Sequence, residues 1–189
     1  MLSTEHYKVE TFASAIEYLE RPLPPGPACV ILDVQLPSLD GPALQRKLTE
    51  EGRVEQIVFI TGHGDIPTGI DAMKRGAVDF LPKPFKDDDL LSAVERALAR
   101  SAENWKQRGA IAEIRTRLAK VTPREFEVLR MVTAGLLNKQ IAAELGIALR
   151  TVKHHRARLM QKLGVVSVAE LVTFAQKASI VPKDPAWDA

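Results

Sequence analysis

Four short apolar runs, "KVETF", "ACVILD", "QIVFIT" and "VDFL", alternate in the first hundred residues with the helical patterns "ASAIEYLE", "GPALQRKLTEE" and "IPTGIDAMKRG". This alternation constrains the fold more than any other feature. Strands separated by helices build βαβ units, which pair in parallel through right-handed crossovers. The run "ACVILD" stays apolar until it reaches Asp33. Burying an ionised carboxylate is costly, so Asp33 is expected where its strand leaves the core. In open α/β sheets that edge is where ligands bind.

Two further residues are expected at the same edge. Thr61 ends "QIVFIT" and Lys83 follows "VDFL". A carboxylate, a hydroxyl and an ammonium on neighbouring strand ends suit phosphate handling, with the carboxylate as nucleophile and the other two on the transferred oxygens. Strand-end Asp, Thr and Lys are also common without any such role, so spacing alone leaves the structural reading open. An aspartyl-phosphate hydrolase would need a second Asp two positions beyond the first, where this chain has Gln35.

Charge separates the chain into parts. Residues 1–100 carry 11 Lys and Arg against 16 Asp and Glu, whereas residues 122–181 carry 9 against 4. An acidic front and a basic back predict two domains, with nucleic acid a candidate partner for the second. After "KPF", the acidic "KDDD" opens a helix that can run about eight turns and join the halves. The predicted organisation is a domain over 1–100, a linker helix over 101–120, a second domain over 121–181 and a tail over 182–189. The start "MLSTEHYKVE" lacks a secretory pattern and no apolar run reaches membrane-spanning length, so a cytoplasmic protein without a membrane partner is expected. The single Cys29 lies inside an apolar strand and reads as a small core residue.

In the back half, Thr122, Pro123 and Glu125 of "VTPREFEVLRMVTAG" form a helix start with a capping box. "NKQIAAELGI" and "LRTVKHHRARLMQKLGV" then predict two helices separated by the Gly146 turn, which fits a helix-turn-helix. Val152, Leu159 and Leu163 are expected to face inward, and Lys153, His154, Arg156 and Arg158 to spread over other faces. Ala148 lacks a capping side chain, a loss of roughly 1 kcal/mol that predicts fraying of the second helix. A last helix, "SVAELVTFAQKA", carries an apolar stripe at Val168, Leu171, Val172 and Ala175, and the Pro-rich "VPKDPAWDA" beyond it reads as loose.

The segments "ILDVQLPSLDG" and "ITGHGDIPTGIDAMKRGAVDFLPKPF", with the spacing between them, resemble the receiver domain of two-component response regulators, in the FixJ subgroup. The resemblance implies a flavodoxin-like parallel sheet and a regulator rather than an enzyme. It also implies a sensor histidine kinase as partner, Asp33 as the phosphoacceptor, Thr61 and Phe80 as the switch pair, Lys83 as the phosphate-binding cation, and a cis Lys83–Pro84 bond. Mg²⁺ would be held by Asp33 and the backbone carbonyl of Gln35, together with an acidic pair ending the family's first strand. That strand and pair have no counterpart here, because "LSTEHYKVETF" matches the end of the first helix and the second strand. A shortened chain is expected, with the gap closed most economically by "KVETF" sliding in beside "ACVILD"; a donated strand and partial disorder are the other solutions.

Residues 121–178 resemble the LuxR-type domain shared by FixJ, NarL and GerE, through "TPRE", "NKQIAAELGI" and "RTVKHHRARLMQKLGV". The resemblance implies a helix in the major groove of promoter DNA, with Arg150, Thr151, Lys153, His154, His155, Arg156 and Arg158 as contacts. It also implies dimerisation through the outer part of the last helix. The alternative is a DNA-binding regulator independent of phosphorylation, whose receiver serves only to dimerise or dock.

Overall fold

The computed structural model describes residues 7–36, 39–62 and 66–183. It divides into two compact units, Met1–Gln107 and Arg108–Ala189. "GHGD" beyond Gly62, and Trp187 in the tail, lie outside the described residues.

In the first unit β1 (Cys29–Asp33), β2 (Gln56–Thr61) and β3 (Asp79–Pro82) form a parallel sheet in that spatial order. The β-branched and aromatic run of β2 is buried almost throughout, as a central strand covered on both faces should be. Helices α1 (Ala15–Glu20), α2 (Gly41–Glu50) and α3 (Ile66–Lys74) belong to this unit, and α4 (Asp87–Leu118) begins in it. One core joins Leu32, Leu44, Leu48, Ile57, Phe59 and Ala72, while Val58 packs with Ala93 and Ala97 of α4. Each such fully buried Leu or Phe contributes roughly 1.5–3 kcal/mol.

Local chemistry sets the helix starts. Asp40 caps α2 by accepting the Ala43 N–H at 2.7 Å. A Cβ on Gly41 would lie 2.5 Å from the Asp33 carbonyl oxygen, so only glycine lets α2 start against the end of β1. Helix α4 carries Asp87, Asp88 and Asp89 in its first turn and Arg115 and Arg117 in its last, matching its dipole at both ends. It runs through Gly109 without a break.

The expectation for "KVETF" is corrected. Residues 8–12 form no strand and do not pair with β1. Lys8 through Thr11 are exposed, and Phe12 meets Tyr18 edge-on with ring centroids 5.2 Å apart. The Arg21 guanidinium stacks over Tyr18 and reaches the buried Glu55, whose carboxylate also accepts from Arg53 and from the Tyr18 hydroxyl. Here aromatic and ionic contacts outcompete the strand propensity of a five-residue run. The backbone groups of Cys29, Ile31 and Asp33 point away from β2, and no described strand pairs with them.

The second unit packs α5 (Pro123–Thr133), α6 (Asn138–Leu145), α7 (Leu149–Leu163) and α8 (Val168–Lys177) around one core. Val128, Leu129, Ile141, Val152, Leu159, Leu163 and Leu171 are fully buried there, with Ile114 and Leu118 from the end of α4 against them. Thr122 and Glu125 form the reciprocal capping box, and Gly146 takes the left-handed conformation between α6 and α7. Of the α8 stripe, Leu171 and Ala175 are buried while Val168 is exposed, and Phe174 joins the core. The start of the tail is not loose, a second correction. Arg130 donates to the carbonyls of Val181 and Pro182, and Lys183 pairs with Glu144 at 3.3 Å.

Candidate acceptor site and nucleic-acid interface

Asp33 is the last residue of β1, half-buried at the carboxyl edge of the sheet. Its Oδ2 accepts from Lys83 Nζ at 2.6 Å and its Oδ1 from the Gln35 N–H at 3.0 Å. Burial alone would raise the Asp33 pKa. The hydrogen bond and charge of Lys83, with the Gln35 N–H, outweigh that and hold the carboxyl below its ordinary value. The site therefore presents an ionised carboxylate at neutral pH.

Lys83 reaches Asp33 because β3 is pinned as it leaves the sheet. The Lys83 N–H donates to the Thr61 carbonyl at 2.7 Å, and the Lys83–Pro84 peptide is cis. Thr61 ends β2 and is buried. Phe80, paired in register with Phe59, has its ring 6.3 Å from that of Phe59 and close against Gly69. Asp33, Gln35 and Lys83 are thus in direct contact, Thr61 joins them through its carbonyl, and Phe80 sits on the α3 side of the sheet.

As a metal centre the set is thin. Among the described residues no group of three His, Cys, Asp or Glu side chains could hold an ion. Both Asp33 oxygens already accept hydrogen bonds, whereas Mg²⁺ takes near-octahedral oxygen ligands. These residues do not fit the magnesium site that the receiver resemblance implies.

The second site is the outer face of α7, whose sequence "LRTVKHHRARLMQKL" holds five Lys and Arg and no carboxylate. Val152, Leu159 and Leu163 bury one stripe. Arg150, Lys153, His154 and Arg158 are exposed on the opposite one, at spacings of three, four and eight residues from Arg150, as a helical face requires. Thr151 and His155 are half-buried, and the His154 and His155 rings lie 6.1 Å apart. Arg156 differs from the others, since its guanidinium donates to Asn138 Oδ1 and ties α7 to the start of α6. Ala148 caps α7 with no side-chain bond.

Sequence reasoning missed the contact that fixes α7 to α5. Lys162 Nζ lies 2.6 Å from the buried Glu125, which also accepts the Thr122 N–H. Glu125 was legible as a helix cap, but no local signal pairs it with a lysine 37 residues away.

Residues 1–95 match the family "Response regulator receiver domain", and residues 119–175 match "Bacterial regulatory proteins, luxR family". Over 186 residues the chain is 39% identical to the transcriptional regulatory protein FixJ of Azorhizobium caulinodans, covering 98% of this chain and 88% of that protein. It is 42% identical to nodulation protein W of Bradyrhizobium diazoefficiens, over 92% of this chain and 76% of the relative. Among solved structures, the response regulator StyR superposes with a TM-score of 0.86 at 45% identity, covering 93% of this chain and 89% of that one. No helix among the described residues is long and apolar enough to cross a membrane. A parallel-sheet unit with a carboxylate on its edge, a helix-turn-helix unit and relatives of this kind over most of its length make the chain a member of the two-component response regulators with a LuxR-type DNA-binding domain.

Proposed function

We propose that Asp33 accepts a phosphoryl group from a sensor histidine kinase and that the chain regulates transcription by binding promoter DNA through the exposed face of α7. The observation that carries the first half is the 2.6 Å contact of Lys83 with an Asp33 carboxylate held ionised at the sheet edge. In the reaction an Asp33 oxygen attacks the phosphorus of a phosphohistidine, the P–N bond breaks and the imidazole leaves. Lys83 then follows the charge onto the phosphoryl oxygens. Thr61, one strand over, is the hydroxyl that would report the new group, with Phe80 repacking in response. No step is assigned to Mg²⁺. A homodimer on DNA fits the partly exposed Val168 on α8.

The thin metal set favours a second reading, in which the receiver unit serves only to dimerise or dock and DNA binding is independent of phosphorylation. Intact-mass measurement after incubation with acetyl phosphate and Mg²⁺ separates the two. One added phosphoryl group, absent from Asp33→Asn, supports the first reading. An unchanged wild-type mass supports the second.

A further inference from the structure

We infer that Arg117 is a positioning residue for DNA recognition, through which the last turn of α4 holds the C-terminal end of α7. The inference rests on α7 being the helix that reads DNA. The last four carbonyls of a helix lack intrahelical donors and need other partners. At the end of α7 the Gly164 and Val165 N–H groups return to the carbonyls of Gln161 and Met160, which leaves those of Lys162 and Leu163. Arg117 Nη1 donates to the Leu163 carbonyl at 3.0 Å. The guanidinium also lies over Gly164, where a Cβ would stand 3.5 Å from Nη1.

Three features make this contact more than a surface bond. A cation at a helix C-terminus complements the dipole there. Glu113, one turn earlier on α4, pairs with the same guanidinium. Ile114 and Leu118, on the same stretch of α4, pack against the core that buries Leu163. The other helix of the motif is held alike, since Arg124 Nη2 donates to the Leu145 carbonyl at the end of α6 at 2.9 Å. Arg117 differs from Arg124 in its origin. It belongs to α4, the helix that precedes the four-helix core, and not to the motif itself.

The test compares the full chain with Arg117→Ala and Arg117→Lys. Affinity is measured by fluorescence anisotropy on a duplex selected by the wild-type chain from a random library, and on an unrelated duplex of equal length. A residue that orients α7 changes discrimination, so Arg117→Ala should lower the ratio of the two affinities about fivefold, with Lys restoring most of it. Equal weakening on both duplexes, or no change, overturns the inference, because loss of folded protein or of a phosphate contact affects both alike. Amide exchange without DNA gives an independent readout. Arg117→Ala should speed exchange at Gly164 and Val165, and unchanged exchange there overturns the cap even if the DNA reading itself were to fail.

Discussion

The two units enclose their cores by different means. In the first, β2 lies between β1 and β3 and is buried under helices on both faces, yet β1 is half-buried along most of its length and pairs on one side only among the described residues. In the second, α5 through α8 each turn an apolar stripe into one closed core. A sheet is only as closed as its edges, whereas a bundle needs only matching stripes. The first unit carries a buried polar cluster, Tyr18, Arg21 and Arg53 converging on Glu55, whereas the second sets one buried carboxylate, Glu125 paired with Lys162, beside a core that is otherwise apolar among the described residues.

If that contrast is right, the largest single loss in the first unit comes from a polar change. Glu55→Gln leaves two guanidiniums without their buried counter-ion and should destabilise that unit by about 3–5 kcal/mol. Hydrogen exchange on the full chain should show protection lost in β2 and retained in α7. In the second unit the corresponding site is apolar, and Leu159→Ala should cost about 3 kcal/mol through lost burial and a residual cavity. Protection should then fall in α5 through α8 while β2 is spared. Losses spread over both units in either variant would break the comparison.

A smaller effect is expected from acid. Burial alone would raise Glu55, and Arg53 together with Tyr18 outweighs it; burial alone would raise Glu125, and Lys162 with the Thr122 N–H outweighs it. Both carboxyls titrate below their ordinary value. Their stabilisation is therefore complete above the unfolded-state pKa, about 4.3, and is lost as pH falls through the lower folded-state values. Thermal midpoints should hold from pH 7 to about 5 and drop below about 4. In Glu55→Gln the acid-induced drop should shrink for the first unit alone.

The same contrast decides what the sequence made legible. The helical unit was readable because its signals are local: the Thr122–Glu125 capping box, the Gly146 turn, and the spacing of Val152, Leu159 and Leu163 all act within a few residues. Strands β1, β2 and β3 were readable from their apolar runs, and Asp33 from the cost of burying it. "KVETF" misleads because a strand exists only with a partner, and its own Phe12 meets Tyr18 edge-on beneath the Arg21 guanidinium instead. The contacts no window could supply are those of long separation: Arg21 with Glu55, Lys162 with Glu125, Arg130 with Val181 and Arg156 with Asn138. The last draws one of the arginines assigned to DNA into a bond within the protein.

The exposed cationic stripe of α7 is the surface on which we propose that this regulator meets DNA. Its most direct test is a salt titration of the full chain on duplex DNA, with Lys153→Ala beside it. Each neutralised phosphate releases counterions, so affinity should fall steeply between roughly 50 and 200 mM salt. Lys153→Ala should bind more weakly and change which duplexes are preferred, as loss of a base-edge contact requires. An affinity flat in salt, or a Lys153→Ala variant unchanged in both strength and preference, would contradict the claim.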